Sequence, residues 1–401
     1  VEKKFSNTAQ LDGGILREIN MKILIIGPSP YMKHDPGLMV NDFIKLASKD
    51  RQVFGCFYHH DFSKLPLENT NEFHYGSGSV DAKWIDNSQE NAAVIAAYDA
   101  IMEWEIDCIV SFGSYIEADF IRAAKETSGR EIAWHHVLTM ANHVHDVRYA
   151  ETFNNIDFIY SFSESQLENI VSTLGVLKDK LCVLEKPCKV TSSNSEKTVD
   201  ILCGGWNTES YNFKSIFESV AGLSASFKCL TNYYEYGDYD LEAMKNCYFN
   251  NQEIYPSDFA SLFEKPAYEQ WDHFIENCKI FIDMSMSQGS CSTAKTAHAS
   301  GAFCFLIDTP RHRELSRYFS NIRLIKSSVF FSSSGIKMYV PDHLDLHMQL
   351  VEYLSNSSNL SRKYDIYDNY DKKEGKDLEY LLNNIIQADS AGRCIGIESI
   401  T

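Results

Sequence analysis

Short apolar runs closed by turn residues recur along the chain, with amphipathic segments between them. The first, Met21-Lys22-Ile23-Leu24-Ile25-Ile26, ends at Gly27-Pro28-Ser29-Pro30. An aliphatic run of that length, stopped by glycine and proline, predicts a buried strand and a turn. Residues 38–48, after Gly37, carry helical spacing, and 53–58 read as a second strand. The polar stretch 59–90 yields no clear element. Alternation resumes with a helix over 91–105, a strand over 107–112 ending at Gly113, a helix over 116–127, and strands over 132–134 and 157–162. A helix over 165–174 and a strand over 181–184 close this half. Apolar strands separated by helices predict a parallel sheet covered on both faces.

The pattern breaks over residues 189–197, where Thr191-Ser192-Ser193-Asn194-Ser195 supplies little that could enter a core. Such composition reads as a linker. Alternation then restarts: a strand over 199–203 before Gly204-Gly205, helices over 213–220, 268–278 and 293–299, and strands over 227–230, 280–282 and 303–307. Residues 377–387 are again helical in character. The expected architecture is therefore α/β, with two Rossmann-like domains facing across a cleft. Residues 1–20 form an extension ahead of Met21, which reads as the natural start. A first domain spans 21–190, a linker 191–198, a second domain 199–375, and a helix and tail 376–401.

Composition narrows the class. With 401 residues, 44% hydrophobic and 23% charged, the chain has ordinary soluble globular content for two domains. No apolar run approaches the roughly 18–20 residues of a membrane span, and residues 1–20 lack a leader's apolar stretch, so no integral membrane association is expected. Eleven cysteines without a C-x-x-C pair fit buried thiols of a cytoplasmic protein. A net charge of −18 weighs against extended contact with a phosphate backbone.

In an open parallel sheet, ligands bind beyond the carboxyl ends of the strands, which directs attention to a few loops. One follows Ile280-Phe281-Ile282: Asp283-Met284-Ser285-Met286-Ser287-Gln288-Gly289-Ser290-Cys291-Ser292-Thr293, then the small-residue segment Ala294-Lys295-Thr296-Ala297-His298-Ala299-Ser300-Gly301 before the next strand. Backbone N–H groups and hydroxyls at a helix start suit a diphosphate, since orphan donors and the helix dipole both favour anions. An ordinary capped helix, with Ser292 or Thr293 as cap, is the competing reading.

The order strand, Ser/Gly loop, small-residue helix ending Ala297-x-Ala299-x-Gly301 resembles the donor-binding segment of retaining GT-B glycosyltransferases of the family 4 type. Two glutamates of that pattern would fall at Gln288 and Thr296, and neither is glutamate. The resemblance extends over Asp157-Phe158-Ile159-Tyr160-Ser161-Phe162-Ser163-Glu164, Leu174-Gly175-Val176 and Lys180-Leu181-Cys182-Val183-Leu184 to Pro187. Trp134-His135-His136 resembles the family's acceptor-side histidine, and its spacing to Asp157 is similar to that in phage DNA α-glucosyltransferases, although Val137 stands where those carry an acid.

The resemblance implies transfer of a sugar from a nucleotide diphosphate donor, UDP-sugar foremost, to a hydroxyl acceptor, with retention and without a metal. On it, His136 is the catalytic candidate, acting on a sugar or acceptor hydroxyl. Gly289, Ser290, Ser292, Thr293 and Thr296 would hold the donor, with Lys214 or Lys295 as cation and Arg311 or Arg313 as further candidates. Gly27, Gly37 and Gly205 would let backbone approach phosphate or acceptor. The acceptor is expected to be a glycan or small molecule, with a hydroxymethylated pyrimidine in DNA as the variant that the chain's acidity disfavours. A catalytically degenerate nucleotide- or sugar-binding protein, or a sugar-nucleotide epimerase of the same fold, are the alternatives left open. His143, His145 and Asp146 crowd three polar groups into four residues, a spacing from which metal ligands rarely converge.

Overall fold

The computed structural model describes residues 21–31, 35–58, 71–76, 78–85, 92–139, 143–184, 197–206, 209–232, 240–248, 273–286, 291–333, 335–356 and 378–390. The extension 1–20, most of the linker 191–198, and the tail beyond 390 lie outside them, as do Gly289 and Ser290.

Among the described residues, nine strands fall in the first half: β1 Lys22–Pro28, β2 Gln52–Tyr58, β3 Glu72–Tyr75, β4 Gly78–Ile85, β5 Cys108–Gly113, β6 Ala133–Leu138, β7 His143–Val144, β8 Phe158–Ser161 and β9 Leu181–Val183. Eight of them form one sheet in the order β3-β4-β2-β1-β5-β6-β8-β9. All neighbouring pairs are parallel except the edge hairpin β3–β4. Side chains alternate between the two faces of each strand, so every central strand must be apolar on both. Along β1, Leu24 and Ile26 enter one core with Ile109, Trp134 and Ile159, while Ile23 and Ile25 enter the other with Val110, Val137 and Tyr160. The first face is covered by α2 Ala92–Trp104, α3 Tyr115–Ser128, α4 Tyr149–Asn155 and α5 Glu164–Leu174. The second is covered by α1 Asp35–Ala47 and by the C-terminal helix α11 Leu378–Ser390, which contributes Leu381 and Ile385.

The second half repeats the scheme with a wholly parallel sheet, order β11-β10-β12-β13-β14. Its strands are β10 Val199–Trp206, β11 Phe227–Asn232, β12 Cys278–Asp283, β13 Phe303–Ile307 and β14 Ile322–Ile325. Helices α6 Phe213–Val220 and α10 His343–Asn356 cover one face, through Phe213, Phe217, Leu346 and Leu350. Helices α8 Ser292–Ala299 and α9 Pro310–Tyr318 cover the other, through Ala294, Ala297, Leu315 and Phe319. Helix α7 Leu241–Tyr248 lies beside α6.

Three connections tie the halves together. Strands β15 Ser327–Phe331 and β16 Ile336–Pro341 form a hairpin that pairs with β7, Ile336 opposite Val144 and Lys337 opposite His143. Helix α9 packs against α5. Helix α11 follows the second sheet in sequence yet packs on the first domain.

The structure differs from the sequence expectations in places with physical causes. The hairpin β3–β4 lies wholly in the stretch 59–90 that yielded no element. Its alternation of Phe73 and Tyr75 against Val80 and Ala82 is that of an edge hairpin, and Gly76 turns it at φ +57°. Strand β6 runs to Leu138 rather than ending at Trp134, which moves both histidines inside the sheet. Strand β10 continues through Gly204-Gly205 to Trp206.

Because α11 supplies core side chains from the far end of the chain, Leu381→Ala is expected to lower stability by about 2–5 kcal/mol, the range for emptying a buried leucine site. Urea unfolding of the purified protein measures it; an unchanged midpoint would show that α11 does not hold the first domain together.

Candidate functional site

The carboxyl ends of both sheets open into turns that start helices, and two kinds of start occur among them. In α3, α5 and α9 a hydroxyl closes the first turn: Ser114 accepts from Ile116, Ser163 from Gln166 and Thr309 from His312. Helices α6 and α8 begin differently. Their N-cap residues, Asn212 and Cys291, are left-handed at φ +53° and +51°, and neither side chain caps the helix. The Asn212 amide is instead used across the loops, donating to the Met284 carbonyl at 2.8 Å. The Met286 amide donates to the Ser210 carbonyl at 2.8 Å, so the turns after β10 and β12 are stitched together. Since β10 and β12 are neighbours in the sheet, the two helices start beyond the ends of adjacent strands, and they pack on opposite faces. Burial pushes the Cys291 thiol up to about 12, so it stays neutral and adds no anion to that positive helix end.

Around these starts lie most of the donor-side candidates. Lys214 is exposed in the first turn of α6. Ser292 and Thr293 open α8, half-buried, and Thr296 is half-buried one turn on. Lys295, expected as a cation for the donor, is buried. Gly205 has φ +147°, and a Cβ there would fall 2.1 Å from the Tyr211 ring, so glycine is required to seat the turn against the strand. Gly27 serves close packing: a Cβ would lie 3.1 Å from both Val40 Cγ2 and Phe112 Cβ. Gly37 is buried in the first turn of α1.

Several polar groups at this end went unread in the sequence. Asp283, the last residue of β12, is buried and accepts from the Ser285 amide at 2.9 Å. The His312 Nδ1–H donates to the Ile307 carbonyl at 2.7 Å, which leaves the lone pair on Nε2. Burial pushes the His312 imidazole below its ordinary value, although Asp283 pulls the other way. The His312 Nε2, Ser285 Oγ and Tyr339 Oη are all buried without a hydrogen-bond partner. A polar residue closing an apolar strand, as Asp283 does, was the signal available for this cluster. Arg313 is paired with Asp308, and Arg311 with Glu314 at 2.7 Å.

His136 is placed elsewhere. It lies two residues inside β6, with no exposed surface, between Trp134 and Phe153. The Trp134 indole can only donate, and does so to Ser111 Oγ at 2.8 Å; Ser111 then has its own proton for His136 Nδ1 at 2.7 Å. Ser111 also lies 3.5 Å from the His135 carbonyl, so either tautomer of His136 satisfies Nδ1. On the opposite face, His135 Nδ1 is 3.0 Å from the Tyr160 hydroxyl. Burial lowers both imidazoles to about 3, so both are neutral core groups at physiological pH. His145 meets Phe331 edge-on, Asp146 pairs with Arg148, and among the described residues no group of three His, Cys, Asp or Glu could hold a metal.

No family model and no curated protein matches the sequence. Solved structures do match the fold. A sucrose-phosphate synthase from Thermosynechococcus elongatus superposes with a TM-score of 0.60 at 10% identity, over 84% of this chain and 90% of that one. The Anabaena protein HepE in complex with UDP and glucose gives 0.58 at 11%, over 84% and 91%. UDP-GlcNAc 2-epimerase from Neisseria meningitidis bound to UDP-GlcNAc gives 0.54 at 10%, over 92% and 100%. The shared architecture is GT-B, two Rossmann-like domains facing across a cleft. Among the described residues, no helix is long and apolar enough to cross a membrane.

The two core histidines give a pH signature. Their folded values lie below that of an unfolded histidine, so the native state binds fewer protons between about pH 3 and 6.5. Stability is full above pH 6.5 and falls as pH drops through that window, by up to about 1.4 kcal/mol per pH unit for each histidine. His136→Gln should remove one histidine's share of the slope. Denaturation midpoints from pH 4 to 8 test this, and an identical slope in the variant would show that His136 titrates in the folded protein as it does in the unfolded chain.

Proposed function

We propose that the second domain binds a nucleoside-diphosphate sugar and that the enzyme transfers the sugar to a hydroxyl acceptor, a glycan or small molecule. The observation that carries this reading is that the helices after the adjacent central strands β10 and β12 start at left-handed N-caps, Asn212 and Cys291, neither capping its helix with its own side chain, with the two loops hydrogen-bonded to each other. Backbone donors at such starts, reinforced by the aligned peptide dipoles, suit the two phosphates of a nucleoside diphosphate. Lys214 adds a cation at the first of them, where charge develops on a departing diphosphate. Thr293, Thr296 and the segment 287–290, which holds Gly289 and Ser290, would complete the donor contacts. A UDP-sugar is the donor of first choice, and retention follows the sequence resemblance.

A specific observation favours a second reading, a nucleotide-sugar-binding protein without transfer. His136, the residue expected to serve the acceptor, is buried and neutral inside β6, out of reach of a substrate in this arrangement.

Calorimetry and thermal shift with UDP, GDP and a set of their sugars separate these readings. Binding at 100 times Kd should stabilise the protein by about 2.7 kcal/mol. Lys214→Ala should weaken nucleotide diphosphate binding about tenfold, the loss of one charge-assisted contact, without changing the melting temperature of the unliganded protein. Binding with release of sugar from the donor supports transfer, binding without turnover supports the second reading, and no shift with any nucleotide removes both.

A further inference from the structure

Glu314 sits in the second domain, on α9, yet its carboxylate completes a helix of the first. Its Oε1 accepts from the Ser165 amide at 2.7 Å and from the Ser163 hydroxyl at 3.2 Å, at the start of α5. Its Oε2 accepts from Arg311 Nη1 at 2.7 Å. Burial opposes the charge, but Arg311 and the serine donors outweigh it and hold the carboxyl below the usual glutamate range. An ionised carboxylate at a helix N-terminus has the sign the dipole favours. On its other side the Arg311 guanidinium lies near enough to the Cys291 thiol, at the start of α8, for its charge to act on it. Ser165, Glu314 and Arg311 thus form a polar link from a first-domain helix toward one of the two helix starts assigned above to the diphosphate.

We infer that Glu314 is a positioning residue that couples occupancy of the anion-binding helix start at Cys291 to docking of the first domain through α5. A ligand anion at that start draws on the Arg311 charge and fixes α8 and α9, and Glu314 passes that order to Ser163 and Ser165. The strand pairing of β7 with β16 contacts the first domain at a different place and survives loss of the carboxylate. The coupling rests on the donor reading for its ligand arm; the interdomain tie itself does not. Linkage is reciprocal, so whatever factor UDP adds to the tie, the tie adds to UDP binding.

Hydrogen exchange of residues 163–167, with and without UDP, tests this in wild type and Glu314→Gln, which keeps the size and removes the charge. Exchange there should rise about tenfold in the variant. UDP should slow it several-fold in wild type only, and the UDP Kd should rise in the variant by that same factor. Glu314→Asp, which keeps the pairing with Arg311 but shortens the reach to Ser165, should change both quantities in the same direction and by less. Unchanged exchange at 163–167 in both variants would overturn the tie. Equal slowing by UDP in wild type and Glu314→Gln would overturn the coupling. If UDP binds none of the proteins, the donor reading falls and takes the coupling with it, while the ligand-free exchange still decides the tie.

Discussion

Parallel strands buried on both faces leave no room for exposed chemistry along their length, and this constraint arranges everything else in the molecule. Each central strand of both sheets supplies side chains to two cores, so a polar residue within a strand has to be neutralised where it stands. His135 and His136 illustrate the cost. They occupy opposite faces of β6, and each is satisfied on one nitrogen by a hydroxyl and kept uncharged by burial. Polar groups with work to do must lie beyond the strand ends, where Asp283, Ser285, Thr309 and the two left-handed N-caps are found.

The same constraint explains what was legible in the sequence. Runs such as Ile23–Ile26 and Phe303–Ile307 are apolar at every position because both of their faces are buried, and that cannot be mistaken for an amphipathic edge. Edge elements carry weaker patterns, so β3 and β4 were missed. The hairpin β15–β16 escaped for the same reason: Val329, Phe330 and Phe331 are exposed, and its partner β7 comes from the other domain. The candidate site was read less well than the fold because strand boundaries decide it. A shift of a few residues in the end of β6 turns His136 from a strand-end group into a core group. Lys295 was misplaced because a lysine is seldom fully buried, and only the packing of α8 on its sheet shows that this one is. Glu314 could not have been found, since its partners lie about 150 positions away, in a domain whose docking no local pattern encodes.

Charge adds a second layer. With a net charge of −18, the chain as a whole repels a nucleotide. Many of its cations are taken up locally: Arg122 by Glu126, Lys279 by Asp200, Arg313 by Asp308. Anion affinity therefore has to come from short-range groups that long-range repulsion does not cancel, and helix starts are of that kind. Their field is confined to the first turn, where it is strong against a ligand in contact and negligible at a distance. On the donor reading proposed above, such starts suit a small dianion better than an extended polyanion, which the overall charge repels.

The division between capped and uncapped starts carries the argument one step further. Ser114, Ser163 and Thr309 show that this sequence places a hydroxyl where a helix start has only a structural task. At α6 and α8 it places instead an asparagine whose amide serves a neighbouring loop and a thiol that burial keeps neutral. Both residues accept a left-handed backbone, a conformation costing roughly 1 kcal/mol for a non-glycine residue. Strain of that kind persists where the surroundings demand a particular loop path. Here the two paths are hydrogen-bonded to each other beyond adjacent strands, and neither N-cap side chain caps its own helix. Either helix alone would be an ordinary irregular turn. The two together, with the Lys214 charge at one and the Arg311–Glu314 pair linking the other to the first domain, are what the proposed diphosphate site depends on.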